Sequence, residues 1–290
     1  MLNNHKDHIA TFGLLFGAAC WGVIWYPYRL MQEAGVSGVA SSFYTYTIAS
    51  VLGAMIFARY WKGLFSMPKS VLWLSLVAGW TNLSYVLAVI DGEVMRVMLL
   101  FYLSPLWTLI LAHFWLKEPA NTKGIVAIGL SLIGAFVMLW QPGQWPIPRN
   151  HAEWLALSSG VGFALTNVIT RKSIHLSLPA KSMAVWLGVV VMSLIFMPFQ
   201  ALPFTSPDVF TTVNWAVMIL IAILLLAATL FVQYGITQIA VTRASVLFMF
   251  ELVVAAVASY FLANETMQLH EWIGGGLIVI AAVFAANTET

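Results

Sequence analysis

The chain has 290 residues, of which 61% are hydrophobic and only 8% charged, with a formal net charge of +2. A soluble domain carries about 25% charged residues, so this chain cannot cover its own surface with polar groups; a soluble enzyme, a nucleic-acid module and a disordered scaffold are excluded, and no basic surface is left for nucleic acid. Its single cysteine excludes an intramolecular disulfide framework and a cysteine-based structural metal site.

A membrane-crossing helix needs about 20 mostly apolar residues. Ten such runs are predicted, at 9–31, 38–58, 70–90, 94–116, 122–140, 152–172, 182–202, 213–236, 242–263 and 270–287. They are long, continuous and rich in Leu, Ala and Gly. The weak alternation of barrel strands is absent, so the expected fold is an all-α membrane protein with ten transmembrane helices. Met1 to His8 is short and polar, with no cleavable signal expected, and Cys20 reads as a buried thiol. With the N-terminus inside, ten Lys and Arg fall on the inner side and three (Arg29, Arg96, Arg149) on the outer. The positive-inside rule then places both termini in the cytoplasm, as for a multi-pass protein of the inner membrane.

The first span carries Gly13, Gly17, Trp21, Trp25 and Arg29 at i+4 spacing, one stripe along the helix. The glycines suit close helix packing. Trp21 and Trp25 sit away from the interfacial belt, where they either stack on an apolar or cationic ligand or pack against neighbours. Pro27 is expected to kink or end the helix, and Arg29 to be an outer surface charge. The third span holds Trp80, Asn82, Ser84 and Tyr85, and the eighth Thr229, Gln233, Tyr234 and Thr237. Asn167 is a hydrogen-bonding group in the middle of the sixth span, and Tyr102 immediately precedes the Leu103-Ser104-Pro105-Leu106 segment of the fourth. Glu251 lies about nine residues into the ninth span, between Met249-Phe250 and Leu252-Val253. A carboxylate at that depth needs a partner, a proton or a water-filled cavity. It reads as a proton carrier, as a counter-ion for a substrate ammonium, or as a protonated structural acid. Trp21, Trp25, Trp80, Asn82, Tyr85, Tyr102, Asn167, Gln233 and Glu251 are the candidate substrate-binding residues, with Glu251 also the candidate for proton coupling. His113 reads as packing rather than as a proton relay, and Arg96 as part of an outer ion-pair cluster with Asp91 and Glu93. Glu118 and Glu265 are expected to cap helices and to bond between them.

Residues 80–118 and 227–265 align at an offset of 147, matching Val94, Arg96, Leu100, Phe101, Phe114 and Glu118 to Val241, Arg243, Leu247, Phe248, Phe261 and Glu265. The two charged matches weigh more than the apolar ones, because apolar helices agree by chance. Residues 1–146 and 147–290 therefore read as two five-helix repeats. An odd helix number inverts the second repeat relative to the first, an architecture recurrent in secondary transporters. Ala127, Ser131 and Ala135 follow small-xxx-small spacing in the fifth span, and Gly274-Gly275-Gly276 opens the tenth. They read as packing surfaces, within a half or in a homodimer formed through these two helices.

Trp21-Gly22, Leu103-Ser104-Pro105-Leu106, Leu116-Lys117-Glu118 before Gly124 and Gly134, and Ala263-Asn264-Glu265 before Gly274 together resemble the EamA-type family of ten-helix exporters in the drug/metabolite transporter superfamily. The chain departs from that pattern at Glu251-Leu252, where the family has Glu-Pro, which puts a proline-linked bend there in doubt. The resemblance implies export of small metabolites, often amino acids, by alternating access, with spans 1, 3, 4, 6, 8 and 9 around a central cavity. An aromatic cavity with few charges suits aromatic amino acids; a deep acid beside tryptophans also suits cationic drugs or quaternary amines. No phosphate-binding glycine loop or metal-ligand motif is present, so no cofactor is expected. A membrane enzyme would need paired catalytic groups, and a non-transporting scaffold a soluble module; neither is read here. The expected partners are a small-molecule substrate and the lipid bilayer. Glu251→Gln is expected to impair transport, or its pH dependence, more than Glu153→Gln near the outer surface. Reporter domains fused to either terminus are expected to be cytoplasmic, and a periplasmic C-terminus would refute the ten-span arrangement.

Overall fold

A computed structural model describes residues 2–60, 69–92, 94–118, 122–140, 147–199, 211–262 and 268–286. Glu93, the Arg96 side chain and Ala263-Asn264-Glu265 lie outside the described residues. Among those described there is no strand. The helices are α1 (Leu2–Glu33), α2 (Gly38–Ile56), α3 (Lys69–Asp91), α4 (Val94–Phe101), α5 (Ser104–Leu111), α6 (Thr122–Met138), α7 (His151–Lys172), α8 (Leu178–Phe196), α9 (Thr212–Gln238), α10 (Val241–Phe248), α11 (Phe250–Leu262) and α12 (Leu269–Ala286). Seven stretches are long and apolar enough to cross a membrane: Lys6–Glu33, Gly38–Ile56, Lys69–Val89, Val97–Leu116, Leu178–Phe199, Thr212–Gln238 and Val241–Leu262. The helices α6 and α12 are apolar but short, and α7 is long but richer in polar residues. The protein is thus a helical, multi-pass membrane protein.

Local chemistry sets several helix starts. Ser37, Ser177 and Thr211 each accept a hydrogen bond from the backbone N–H three residues on, at 3.2, 3.4 and 3.2 Å, satisfying donors that a helix start leaves free. Asn150 caps α7 by accepting from the Glu153 N–H at 2.9 Å, while the Glu153 carboxylate accepts from the Arg149 N–H at 2.7 Å. This is a displaced form of the capping box. Glu153 is only 3% exposed, so it is a structural cap and a poor surface reference for Glu251.

Three helices depart from the expected course. The first starts at Leu2 and runs through Pro27 to Glu33, so the proline does not end it. Pro27 has no N–H to give the Val23 carbonyl, and the helix continues past it; Arg29 pairs with Glu33 at 3.2 Å on the exposed surface. The fourth span is broken between α4 and α5 at Tyr102-Leu103, beside Pro105, which has no N–H to give. The ninth is broken between α10 and α11 at Met249, which lies 147 residues after Tyr102, the offset at which the two segments align. No proline lies there. The backbone instead tightens into three-residue bonds, Met249 N–H to Val246 O and Leu252 N–H to Met249 O, both 3.1 Å. The α-helical bonding is therefore interrupted here without a proline.

Helix α1 packs against α9, α10 and α11, and α7 packs against α3, α4 and α5. Helices α2 and α8 pack together, as do α6 and α12. Glycines set the separations. A Cβ on Gly13 would lie 3.1 Å from the Phe231 carbonyl of α9, and one on Gly134 2.8 Å from the Gly274 carbonyl of α12. Ala127, Ser131 and Ala135 are buried in this α6–α12 contact region, so the small-residue stripe is used across the two halves of one chain.

Charged side chains tie the helix ends where α1 begins. Arg243 of α10 is 7% exposed and grips Asp7 of α1 through two bonds of 2.8 and 2.9 Å, with a third to Thr11 at 3.0 Å. Beyond α5 the chain makes a π-helical turn, and Lys117 adopts φ 56°, a left-handed conformation. That reversal turns Glu118 back toward the bundle. Its carboxylate pairs with Arg171 Nε at 3.0 Å and accepts from the Val241 N–H at 3.2 Å, while Arg171 Nη1 donates to the Thr237 carbonyl at 2.7 Å. The capping and inter-helix roles expected of Glu118 are those observed. Lys172 lies 5.3 Å above the Trp115 ring at the same end.

Replacing Gly134 by Val is expected to push α12 away and to cost about 1–3 kcal/mol. Gly129, in the same helix, has open space where its Cβ would be, so Gly129→Val is the matched control. Thermal unfolding in detergent checks this, and equal melting temperatures for the two variants would refute the close α6–α12 contact.

Candidate functional site

The two helix breaks bring chemistry together. Tyr102 occupies the first break and is 3% exposed. Glu251 is the second residue of α11, just past the other break. The Glu251 carboxylate interacts with Tyr102 and Tyr85. Helix α1 comes close at this level because Gly22 has no side chain: a Cβ there would lie 2.8 Å from the Glu251 carbonyl. Glu251 is partly exposed and forms no ion pair among the described residues. The buried Tyr102 hydroxyl is its hydrogen-bonding neighbour. A carboxylate with a phenol as its polar neighbour is costly in an apolar interior, and a ligand or a proton can relieve that cost.

Aromatic rings form the wall next to this pair. Trp21 packs on Phe248 at 5.6 Å and on Phe163 at 5.9 Å. Phe163 touches Phe248 at 5.2 Å and Phe101 at 5.6 Å, and Phe101 meets Tyr85 at 5.0 Å and Tyr102 at 5.2 Å. The rings belong to α1, α3, α4, α7 and α10, so the wall exists only in the folded chain. Helix α7 reaches it because Gly160 lies against the Phe101 backbone, where a Cβ would be 2.7 Å from the carbonyl. Phe101, Phe163 and Phe248 are functional candidates that sequence reasoning passed over. Phe101 and Phe248 leave a signal in the sequence, as aligned positions at the 147-residue offset, but apolar identities carry little weight there.

The remaining candidates are placed as follows. Asn82 lies one helical turn from Tyr85 and donates to the Tyr46 hydroxyl at 3.4 Å, leaving its side-chain oxygen without a partner. Trp80 packs on Phe196 of α8 at 6.0 Å and against the same apolar cluster as Tyr85. Trp25 stacks edge-on against its neighbour Tyr26, with its indole N–H buried and unpaired. Asn167 and Gln233 are buried, 2% and 3% exposed, rather than open to a lumen. Ser84 and Thr237 donate back to carbonyls of their own helices, at 2.6 and 2.7 Å, so they add little free polarity. His113 is exposed beside Phe114 instead of packed in the interior. Cys20 is free and buried. The described residues hold no cluster of three or more His, Cys, Asp or Glu that could take a metal ion.

Comparison with known proteins fits this architecture. An uncharacterised transporter of Archaeoglobus fulgidus is 26% identical over 219 residues, covering 75% of this chain and 76% of the relative. A RarD protein of Streptomyces exfoliatus is 23% identical over 197 residues, covering 61% and 60% of the two chains. A crystal structure superposes with a TM-score of 0.77 at 17% identity, over 95% of this chain and 96% of the other, which shows a shared fold. The profile of the EamA-like transporter family matches residues 8–140 and again 151–287. With its helical membrane fold and a match over almost its whole length, the chain belongs to the EamA-like transporter family.

Proposed function

We propose that this membrane transporter is a secondary exporter of small metabolites across the inner membrane, working by alternating access around the Glu251–Tyr102–Tyr85 site. The observation that carries the reading is the Glu251 carboxylate without a cationic partner among the described residues, held beside the Tyr102 phenol and an aromatic wall at the junction of two broken helices. Broken helices with polar groups at their ends are where secondary transporters bind substrates and coupling ions.

The arrangement proposed is ten spans in two inverted five-helix repeats, 1–146 and 147–290, with both termini in the cytoplasm. Support comes from the packing. Exchanging the halves turns α1 against α9 into α7 against α3, and α1 against α10–α11 into α7 against α4–α5, while the α2–α8 and α6–α12 pairs map onto themselves. The family match in two stretches, one on each side of residues 141–150, supports the same division. A homodimer through α6 and α12 would have to use their outer faces, such as Ile133 and Ile280, because the small residues are already buried.

The substrate proposed is an amino acid with an aromatic or other apolar side chain, its ammonium on Glu251 and its body against Trp21, Phe163 and Phe248. The second reading is efflux of cationic drugs or quaternary amines. It is favoured by the same acid, since rings around a lone carboxylate also suit a cation without a carboxylate of its own. Counterflow in proteoliposomes across aromatic, aliphatic and polar amino acids and quaternary amines decides between them. Exchange of aromatic amino acids supports the first, exchange of amines alone supports the second, and no exchange of any compound in the panel counts against both.

Losing a charge-assisted contact costs about 1.5–3 kcal/mol. Glu251→Gln is therefore expected to lower exchange about tenfold or more, and to flatten its pH dependence if the carboxylate carries the proton. Glu33→Gln, on an exposed side chain, is expected to change neither. Equal rates for the two variants would remove Glu251 from the mechanism.

A further inference from the structure

We propose that the Glu118–Arg171 ion pair is a latch that closes the cytoplasmic end of the transporter, and that it works by gripping a backbone corner rather than by its own attraction. Glu118 follows α5 and Arg171 ends α7, and these helices pack together in one group with α3 and α4. The corner they hold lies between α9 and α10, in the group that packs around α1. The corner exposes two backbone groups that its own helices leave unbonded. The Thr237 carbonyl is in the last turn of α9, and the Val241 N–H is in the first turn of α10.

The pair matches them in charge and direction. The guanidinium donates to the carbonyl at 2.7 Å, and the carboxylate accepts from the N–H at 3.2 Å. A cation thus sits at a helix C-terminus and an anion at a helix N-terminus, the arrangement that helix dipoles favour. The 3.0 Å ion pair itself stays within one group of helices, so separating the groups breaks the two backbone bonds and the packing of Val241 on Ala112 and Val168, but not the ion pair. The corner in turn is tied to α1 through Arg243, Asp7 and Thr11, so it moves with α1 as a unit.

Calling this end cytoplasmic rests on the topology proposed above, whereas the latch itself can be tested without any substrate. Spin labels at His175 and Gln238, both exposed and on opposite sides of the latch, report its opening in a Cys20→Ser background reconstituted in nanodiscs. Two variants separate grip from attraction. Val241→Pro removes the N–H and no charge, and keeps an apolar side chain against Ala112 and Val168, at a first helical position where proline is tolerated; the preceding Ala240 has φ −58° and ψ 137°, which proline accepts. The double substitution Glu118→Arg with Arg171→Glu keeps the ion pair but points a donor at the N–H and an acceptor at the carbonyl.

The expected result is a short label distance in the parent protein and about a tenfold rise in the ratio of long to short distances in both variants, the effect of losing a hydrogen bond to a charged group. An unchanged distribution in Val241→Pro, or a return to the parent distribution in the charge-swapped protein, would overturn the latch. A clear label response with no counterflow of any substrate would instead fault the transport reading and leave the latch standing.

Discussion

Hydrocarbon offers backbone amides no water to bond, so a membrane-crossing helix has to satisfy its own polar groups. This chain meets that rule with altered bonding in two places, at Tyr102-Leu103 and at Met249, which align at an offset of 147 residues. Interruptions of this kind are tolerated where the backbone is buried in protein or lines a cavity. Burial shapes what surrounds them. Gly160 brings α7 onto the Phe101 backbone, and Gly22 brings α1 onto Glu251, so neighbouring helices cover the broken segments closely. The acid, the phenols and the ring cluster are assembled around the two interruptions.

The two breaks differ in chemistry. Ser104-Pro105 follows the first where Glu251-Leu252 follows the second. The first comes with a proline that withholds a donor, while the second lacks a proline and carries a carboxylate. One carboxylate beside several rings gives this part of the bundle one charged and one apolar side.

Polar interactions at the helix ends near the start of α1 follow a different logic. Glu118, Arg171, Asp7 and Arg243 are partly or largely withdrawn from solvent, yet each is bonded, through a charged partner, a backbone group or both. Between helices such bonds are reversible constraints. They hold one arrangement firmly when made, and can be exchanged for water when the ends separate. The exposed Arg29–Glu33 pair, within a single helix, can exert no such control and contributes little to stability.

Much of this was legible in the residues alone. Runs of about 20 apolar residues fix helices because no other element satisfies a backbone in lipid. The depth of Glu251 in its run marks it as a functional candidate, and the recurrence of Arg96 and Glu118 as Arg243 and Glu265 marks the repeat. The glycine stripe of α1 also foretold close packing. Tertiary structure alone decided which glycine meets which helix and that α1 runs on through Pro27. It decided, too, that the ninth span breaks without a proline, that Glu153 is a buried cap, and that Asp7 holds Arg243. The ring wall of Trp21, Phe163, Phe248 and Phe101 was hidden for the same reason. Periodicity and composition describe what one helix needs along its own axis. Which side chains from distant helices meet is set by packing across the bundle, and an apolar residue reads alike whether it faces lipid, a neighbouring helix or a substrate.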